Sequence, residues 1–483
     1  MHQESAEIFS TVVDTQQKTI DVFNNMQVHA KAIKFSDASV RIEKLKNLKK
    51  SLLHYQDEIR QAMYNEFKKP FLETDISEIL PVTSHIDFVV KNLAEWMRPE
   101  HKKTPIELLG SYSYIVYEPK GVVLILAPWN YAFNLIFDPL VSAIAAGNCA
   151  IIKPSEYTPY AAKVVQKIVA EIFDPNEISV LEGDAKFASS LSLMPFDHIF
   201  FTGSPAVGKK VMKAAAENLV SITLELGGKS PAIVHSDADI ANTAAGLVFG
   251  KFLNTGQTCI APDYILVQKD VKMKLVDALI SRIKSNYGEN ESKILESKDY
   301  GRIVSDKEFL RIENYINDAL ERGATLAYGG KMNQLERYIQ PTILTDVDFQ
   351  ALVMQEEIFG PVLPIITYNN LEEAFEFIEK LPKPLSCYIF SSSHNVQQKI
   401  IANTTAGGTT INDCLLHNFN PHLPFGGVNN SGIGKGRGIY GFHEFSNPRA
   451  VLHSRSVVRM SKFLSAPYTS LKYKLVGFIL KYL

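Results

Sequence analysis

The spacing of hydrophobic positions changes along this chain. Over residues 8–96 apolar side chains recur three and four residues apart, as in Ile42, Leu45 and Leu48 followed by Leu52 and Leu53, with charges between them. That period belongs to helices with one buried stripe, so this stretch reads as a helical lead-in. Beyond it, short apolar runs alternate with amphipathic ones. Residues 121–127, 150–153, 178–181, 198–202 and 221–226 read as strands, with helices such as 160–173 and 206–218 between them. A second series follows, with strands at 231–234, 264–267, 362–368, 385–390 and 408–412 and helices around 241–252, 273–287, 309–322, 372–380 and 396–403. Strand, helix and strand in repetition mean parallel sheets, with ligands at the C-terminal ends of the strands. The pattern predicts an α/β protein of two doubly wound domains joined near residues 225–229.

Two segments fit neither sheet. Residues 106–118, with Tyr112, Tyr114 and Tyr117, read as an extended hairpin, and 424–446 as a glycine-rich loop; both are candidates for an oligomer interface. A length of 483 residues is ample for two or three domains. The formal net charge of −2 gives no global field for nucleic acid, which is excluded as a partner. Cys149, Cys259, Cys387 and Cys414 stand far apart, without a C-x-x-C pair or zinc spacing, so neither a disulfide framework nor a metal site is expected. The first ten residues include Glu4 and Glu7 and lack the layout of a secretory signal, and no apolar window approaches the ~18 residues of a spanning helix. A cytoplasmic protein is expected. Its end qualifies this: after Glu444 there are Arg449, Arg455, Arg459, Lys462, Lys472, Lys474 and Lys481 and no acid, and residues 471–483 are apolar with lysines interspersed. Such a tail suits an anionic membrane surface, or docking onto its own or a partner subunit.

Two motifs resemble phosphate-binding loops. Residues 436–441 spell G-x-G-x-x-G, yet they follow a loop and not a strand, and no acidic residue follows at ribose distance. Gly203 to Lys209 has a strand before it and a helix after it, but Lys210 stands where a magnesium-binding loop needs Ser or Thr. What remains is a strand-to-helix turn through Gly203, Ser204 and Gly208, whose helix N-terminus suits a phosphate or pyrophosphate. Lys153 and Glu156, at the end of another strand, offer a cation and a carboxylate for ribose hydroxyls. Cys259 lies in a glycine-containing turn after a helix. Glu225 closes an apolar strand just before Gly227-Gly228, where burial would raise it towards a general base, and Asn130 follows a strand where its amide could hold an oxyanion.

Phe201-Thr202-Gly203-Ser204, Leu224-Glu225-Leu226-Gly227-Gly228-Lys229, residues 254–264, Glu356-Glu357-Ile358-Phe359-Gly360-Pro361 and Pro424-Phe425-Gly426-Gly427 together resemble the aldehyde dehydrogenase superfamily in order and spacing, over about residues 30–460. The chain most resembles the class 3 branch, which includes fatty aldehyde dehydrogenases. The resemblance implies NAD or NADP as cofactor, a Rossmann-like cofactor domain (1–105 and 121–225), a catalytic domain (226–423), bridging segments for a homodimer (106–120 and 424–460) and a basic tail (461–483). It implies Cys259 as nucleophile, Asn130 with the Cys259 backbone N–H as oxyanion hole, and Glu225 as the base that hydrolyses a thioester. Lys153, Glu156, Gly203, Ser204, Gly208, Leu226, Glu357 and Phe359 fall to the cofactor. Trp129, Tyr131 and Phe133 cluster beside Asn130, with Phe419 near the mouth of the same site, an aromatic wall for a medium- or long-chain aliphatic or an aromatic aldehyde, and His417 and His422 lie in the stretch bordering the substrate entrance. Two positions depart from the family pattern: Asn429 replaces a glycine in a turn asparagine tolerates, and Ala132 replaces a proline, which would loosen its loop. The alternatives are transfer of the acyl group to coenzyme A, against which Glu225 argues, and a catalytically retired structural oligomer, which would not bind nicotinamide.

Overall fold

The computed structural model describes residues 2–108, 110–454, 461 and 465–482. The lead-in is helical: His2–Ile33, Ala38–His54 and Gln56–Phe67 precede a continuous run from Phe71 to Trp96 that relaxes into a π turn at Asp75–Ile79. A six-stranded sheet follows, in the spatial order Gly432–Ile433, Ser221–Leu226, His198–Gly203, Val122–Leu126, Cys149–Lys153, Ile178–Val180. All of its pairings are parallel except that of the short edge strand Gly432–Ile433. The first strand in sequence, Val122–Leu126, lies inside the sheet, and the chain winds outward from it in both directions. A crevice therefore opens at the C-terminal ends of Val122–Leu126 and His198–Gly203.

Alternation along Val122–Leu126 explains why both faces are covered. Val123 and Ile125 pack with Leu45, Leu52, Ile86 and Leu140, while Val122 and Leu124 pack with Phe23, Met26 and Val211. The second sheet has seven strands, ordered Thr325–Tyr328, Thr342–Thr345, Val362–Tyr368, Tyr264–Gln268, Pro231–Val234, Ser386–Phe390, Gly408–Ile411. Only residues 227–230 separate the last parallel strand of one sheet from the first strand of the other.

Two expectations need correction, and one helix goes unread. The hairpin does not lie within 106–118: Ser111–Pro119 is one strand, paired on one side with Glu100–Lys102 and on the other, over nine residues, with Ser446–Ser454. The stretch 424–446 is not all loop, since it holds the strand Gly432–Ile433 and the helix Gly438–Glu444. Its G-x-G-x-x-G letters serve packing: a side chain at Gly441 would lie 2.4 Å from Ser142 Oγ, and one at Gly438 2.2 Å from the Pro421 carbonyl. Helix Asn134–Ala146 is missing from the sequence reading because Pro139 interrupts it and nearly every residue is buried, so no amphipathic period marks it. Asn429 does adopt the left-handed backbone, at φ 54°.

Helix Ser470–Tyr482 has no buried residue; Leu471, Tyr473 and Phe478 are 71%, 70% and 59% exposed. It does not dock onto the described part of its own subunit. Arg455, Arg459 and Lys462, counted in the basic tail, lie outside the described residues. No described helix is long and apolar enough to cross a membrane.

Candidate active site

The loop after Val122–Leu126 carries Trp129, Asn130 and Tyr131, and it is fixed from below by a carboxylate. Glu78 on the π turn is fully buried, 2.6 Å from the equally buried Lys69 ammonium. Its other oxygen accepts the backbone N–H groups of Phe133 and Asn134 at 3.1 and 3.0 Å. Ala132 is buried in this loop; the bonds from Glu78 hold it without a proline. Tyr131 sits under Lys69, whose nitrogen is 4.2 Å from the ring centroid, and its hydroxyl meets Thr258 Oγ1 at 2.5 Å. Trp129 packs edge-on against Phe359 at 5.3 Å.

Cys259 follows helix Ile240–Phe252 through a turn that needs a left-handed backbone at three successive positions: Asn254 at φ 53°, Thr255 at 55° and Gly256 at 76°. Two of these are not glycine, which costs strain that surrounding contacts must over-determine. They do. The Asn254 amide donates to the carbonyls of Asn130 and Gln257 at 2.9 and 3.1 Å, and the Asn130 amide donates to the Gln257 carbonyl at 3.1 Å. Buried Gln257 donates to the carbonyls of Asn254 and Arg302 and accepts from the Val304 N–H. The oxyanion candidate is thus tied two residues from the thiol. Asn254 and Gln257 were not singled out in the sequence, where amides in a turn look ordinary.

Of the four cysteines only Cys259 is partly exposed; the other three are buried packing residues. Burial pushes the Cys259 thiol up to about 12, and the carboxylates of Glu357 and Glu225 add to the rise, while the N–H groups of Cys259 and Ile260 oppose it. Glu225 itself is driven up to about 8, by burial first and then by Asp138, against Arg437 and Lys435. Glu357 rises to about 8 through burial and Asp263. Its carboxylate lies against Gly227, where a Cβ would fall 1.9 Å from Oε2. Phe359, at φ 48°, holds the next turn. The sequence-predicted Cys259, Glu225 and Glu357 thus come within electrostatic reach of one another, although they derive from three separate segments.

On the other side of the crevice, Ser204 caps the twelve-residue helix Pro205–Ala216, its hydroxyl accepting the Val207 N–H. A Cβ at Gly203 would strike the Phe201 ring at 2.5 Å, and one at Gly208 the Leu226 side chain at 2.7 Å, so both glycines bring this turn close to the sheet. Lys153 is buried at its strand end and bonds the half-exposed Glu156 at 2.7 Å. Phe419 stands apart, 42% exposed on the turn Leu416–Phe419. His417 is tied inward to Thr410 and Ser386, and burial, helped by Arg437, pushes its imidazole down to about 4. It is therefore neutral at ordinary pH.

Residues 3–451 match the aldehyde dehydrogenase family. The chain belongs to that family. It is 47% identical over 416 residues (86% of this chain, 89% of the relative) to 4,4'-diaponeurosporen-aldehyde dehydrogenase of Staphylococcus aureus. It is 40% identical over 443 residues (92% and 94%) to the dimeric NADP-preferring aldehyde dehydrogenase of Rattus norvegicus. A solved structure, the substrate-bound state of Staphylococcus aureus AldH, superposes with a TM-score of 0.91 at 43% identity, covering 96% of this chain and 99% of that one. The protein is an aldehyde dehydrogenase that uses NAD or NADP. The crevice offers groups whose chemistry suits such a cofactor: a capped helix N-terminus after His198–Gly203, a cation and carboxylate pair at the end of Cys149–Lys153, and a buried carboxylate against Gly227.

Proposed function

We propose that this dehydrogenase oxidises hydrophobic aldehydes to carboxylic acids through a thioester on Cys259. The observation that carries the reading is the convergence of the Cys259 thiol, two perturbed carboxylates and the Asn130 amide at the end of the crevice. Lys153, Glu156, Gly203, Ser204, Gly208 and Leu226 would hold the adenosine and pyrophosphate side of the cofactor, and Glu357 and Phe359 its nicotinamide ribose and ring. When bound, NAD or NADP takes up the hydride.

The protein's own steps are these. Cys259, as thiolate, forms a bond to the aldehyde carbon, and the carbonyl oxygen gains the negative charge, which the Asn130 amide and the Cys259 N–H stabilise. After oxidation the carbon is a thioester. Glu225 then takes a proton from water as the water oxygen bonds that carbon, the carbon–sulfur bond breaks, and the sulfur leaves as thiolate with the carboxylic acid. Because Glu225 stands near 8, its ionised form, and with it hydrolysis, gains as pH rises through that value. Residues 1–105 with 121–225 would form the cofactor domain and 226–423 the catalytic one.

An apolar substrate is supported by Trp129 and Tyr131 and by an exposed apolar rim of Leu416, Phe419 and Leu423. Leu415 and Phe425, which flank that rim in sequence, share a hydrophobic cluster with Cys259. The relative named for 4,4'-diaponeurosporen-aldehyde points the same way. The test is cofactor reduction with NAD and with NADP against straight-chain aldehydes of rising length. We expect kcat/KM to climb about fourfold per methylene until the apolar surface is filled, as burial of ~0.8 kcal/mol per CH₂ requires. A rate independent of length removes the hydrophobic assignment, and acyl-CoA formed when coenzyme A is added removes the hydrolytic one.

The dimer of the rat relative suggests the same for this chain, through 106–120 and 424–460. For the tail we favour an anionic membrane surface, since its helix is apolar, basic and uncovered. The full chain is expected to sediment with vesicles containing phosphatidylserine, salt-sensitively, and a chain ending at Ser470 to stay in solution. Equal behaviour of the two discards the membrane role.

A further inference from the structure

Glu225 is approached from outside the machinery described so far by a buried charged array. Asp138, on helix Asn134–Ala146, receives two cationic or donor groups: His85 Nδ1 at 2.9 Å and Arg437 Nε at 3.5 Å. His85 Nε2 accepts the backbone N–H of Gly438 at 3.0 Å, which leaves the proton on Nδ1, close to Asp138 but not aligned for a hydrogen bond to it. Arg437 also donates to the Asn418 carbonyl on the turn that carries Phe419, and its guanidinium lies 5.5 Å from the Phe425 ring centroid. Its backbone is left-handed at φ 68°. A side chain other than glycine's is held in that conformation only if something fixes it, and these contacts do. Next to it, Gly436 leaves no room to spare: a Cβ there would lie 2.8 Å from Glu225 Oε1.

The charges facing Glu225 come from every element around it. Asp138 comes from the helix Asn134–Ala146, Lys435 and Arg437 from the loop before Gly438–Glu444, Glu444 from that helix, and Cys259 from the strained turn. Lys435 is committed to the carbonyls of Gly426 and Gly427, and Glu444 to Thr223 and the Lys435 N–H. Asp138 has no role in the thioester chemistry and no hydrogen bond to Glu225, yet it is the largest charge influence on that carboxyl. Burial works against its ionisation, but Arg437 and His85 hold it below the ordinary carboxylate range.

We infer that Asp138, clamped between His85 and Arg437, is a positioning residue that governs when Glu225 is ionised, and that Arg437 links this control to the turn at the substrate mouth. The inference rests on the reading of Glu225 as the base. An isolated buried carboxylate near a second one would neutralise; the clamp keeps Asp138 charged so that Glu225 is the group that holds the proton. Loss of the negative charge leaves Arg437 facing Glu225 alone, which lowers the base. Loss of Arg437 removes a charge that lowers Glu225, while His85 still keeps Asp138 ionised, so the base moves the other way.

The experiment is the pH profile of kcat for the intact enzyme with its cofactor, in wild type, Asp138→Asn, Arg437→Met, Arg437→Lys and Glu225→Gln. The acid limb is expected to fall by on the order of one pH unit in Asp138→Asn, to rise by a similar amount in Arg437→Met, and to stay in place in Arg437→Lys. A merely structural role lowers the plateau without moving the limb, or moves both variants the same way, and either result overturns the inference. Glu225→Gln separates the two readings. If it abolishes the limb while the other variants leave it unmoved, only the clamp falls; if it keeps the limb, Glu225 is not the base. Should one of Asp138→Asn and Arg437→Met fail to fold, the remaining one is compared with Arg437→Lys, and a limb that does not shift in its stated direction overturns the clamp by itself.

Discussion

Cys259→Ala is expected to lower aldehyde oxidation by on the order of 10⁴- to 10⁶-fold, the scale seen when a covalent nucleophile is removed. Cofactor binding should persist, because the crevice residues on the first sheet are untouched; quenching of tryptophan fluorescence on adding NAD or NADP measures it. Residual oxidation within tenfold of wild type would mean that the carbon never bonds to sulfur. Cys259→Ser is expected to fare little better. Burial and two carboxylates already drive the thiol up to about 12, and a hydroxyl, much less acidic than a thiol, would be further from ionising there. The same surroundings predict slow alkylation of Cys259 at neutral pH in the enzyme without cofactor, accelerating as pH rises.

Lys69→Met should cost about 3–5 kcal/mol of stability, because it strands the Glu78 carboxylate in a fully buried position without its ion. Methionine matches the lysine stem in bulk, so the loss is electrostatic and not a cavity. Both tryptophans of the chain, Trp96 and Trp129, pack against the hydrophobic cluster that joins the lead-in helices to the first sheet. Their fluorescence in urea therefore reports the half of the molecule concerned. The double variant Lys69→Met/Glu78→Gln is expected to recover part of the loss. Glutamine keeps an acceptor for the Phe133 and Asn134 N–H groups and carries no charge to strand. A single variant as stable as wild type would mean that water reaches the site. Because Glu78 fixes the loop of Asn130, Lys69→Met should also reduce kcat more than it raises the KM of the cofactor.

The parallel strands were legible because their apolar runs are short, bounded and in register with the helices between them; Ser221–Leu226 and Pro231–Val234 come out to the residue. Motif spacing likewise brought Cys259, Glu225 and Asn130 to notice. What the sequence hides is pairing between distant segments. Ser446–Ser454 carries Pro448 and Arg449 and shows no strand alternation, because only one edge is paired and most of its side chains face outward. Glu78 is a carboxylate in a stretch that reads as ordinary helix and Asp138 one in a stretch with no amphipathic period, and nothing local says that one braces a loop and the other is clamped by a residue almost three hundred positions later. Such roles exist only once burial has made a charge expensive.

The edge strand Gly432–Ile433, laid antiparallel on Leu224 and Glu225, bears on the order in which the protein is made. Synthesis delivers the N-terminal segments first. A nascent chain therefore has its cysteine, its helical lead-in and most of both sheets long before residues 432–444 emerge. Until then Ser221–Leu226 is an open sheet edge, and Glu225 lacks Gly436, Arg437 and Glu444 around it. Closing contacts of such long sequence separation come late and slowly. Residues 432–444 thus both seal a surface prone to mispairing and complete the surroundings of the proposed base, so a polypeptide that has not yet reached them is expected not to hydrolyse a thioester.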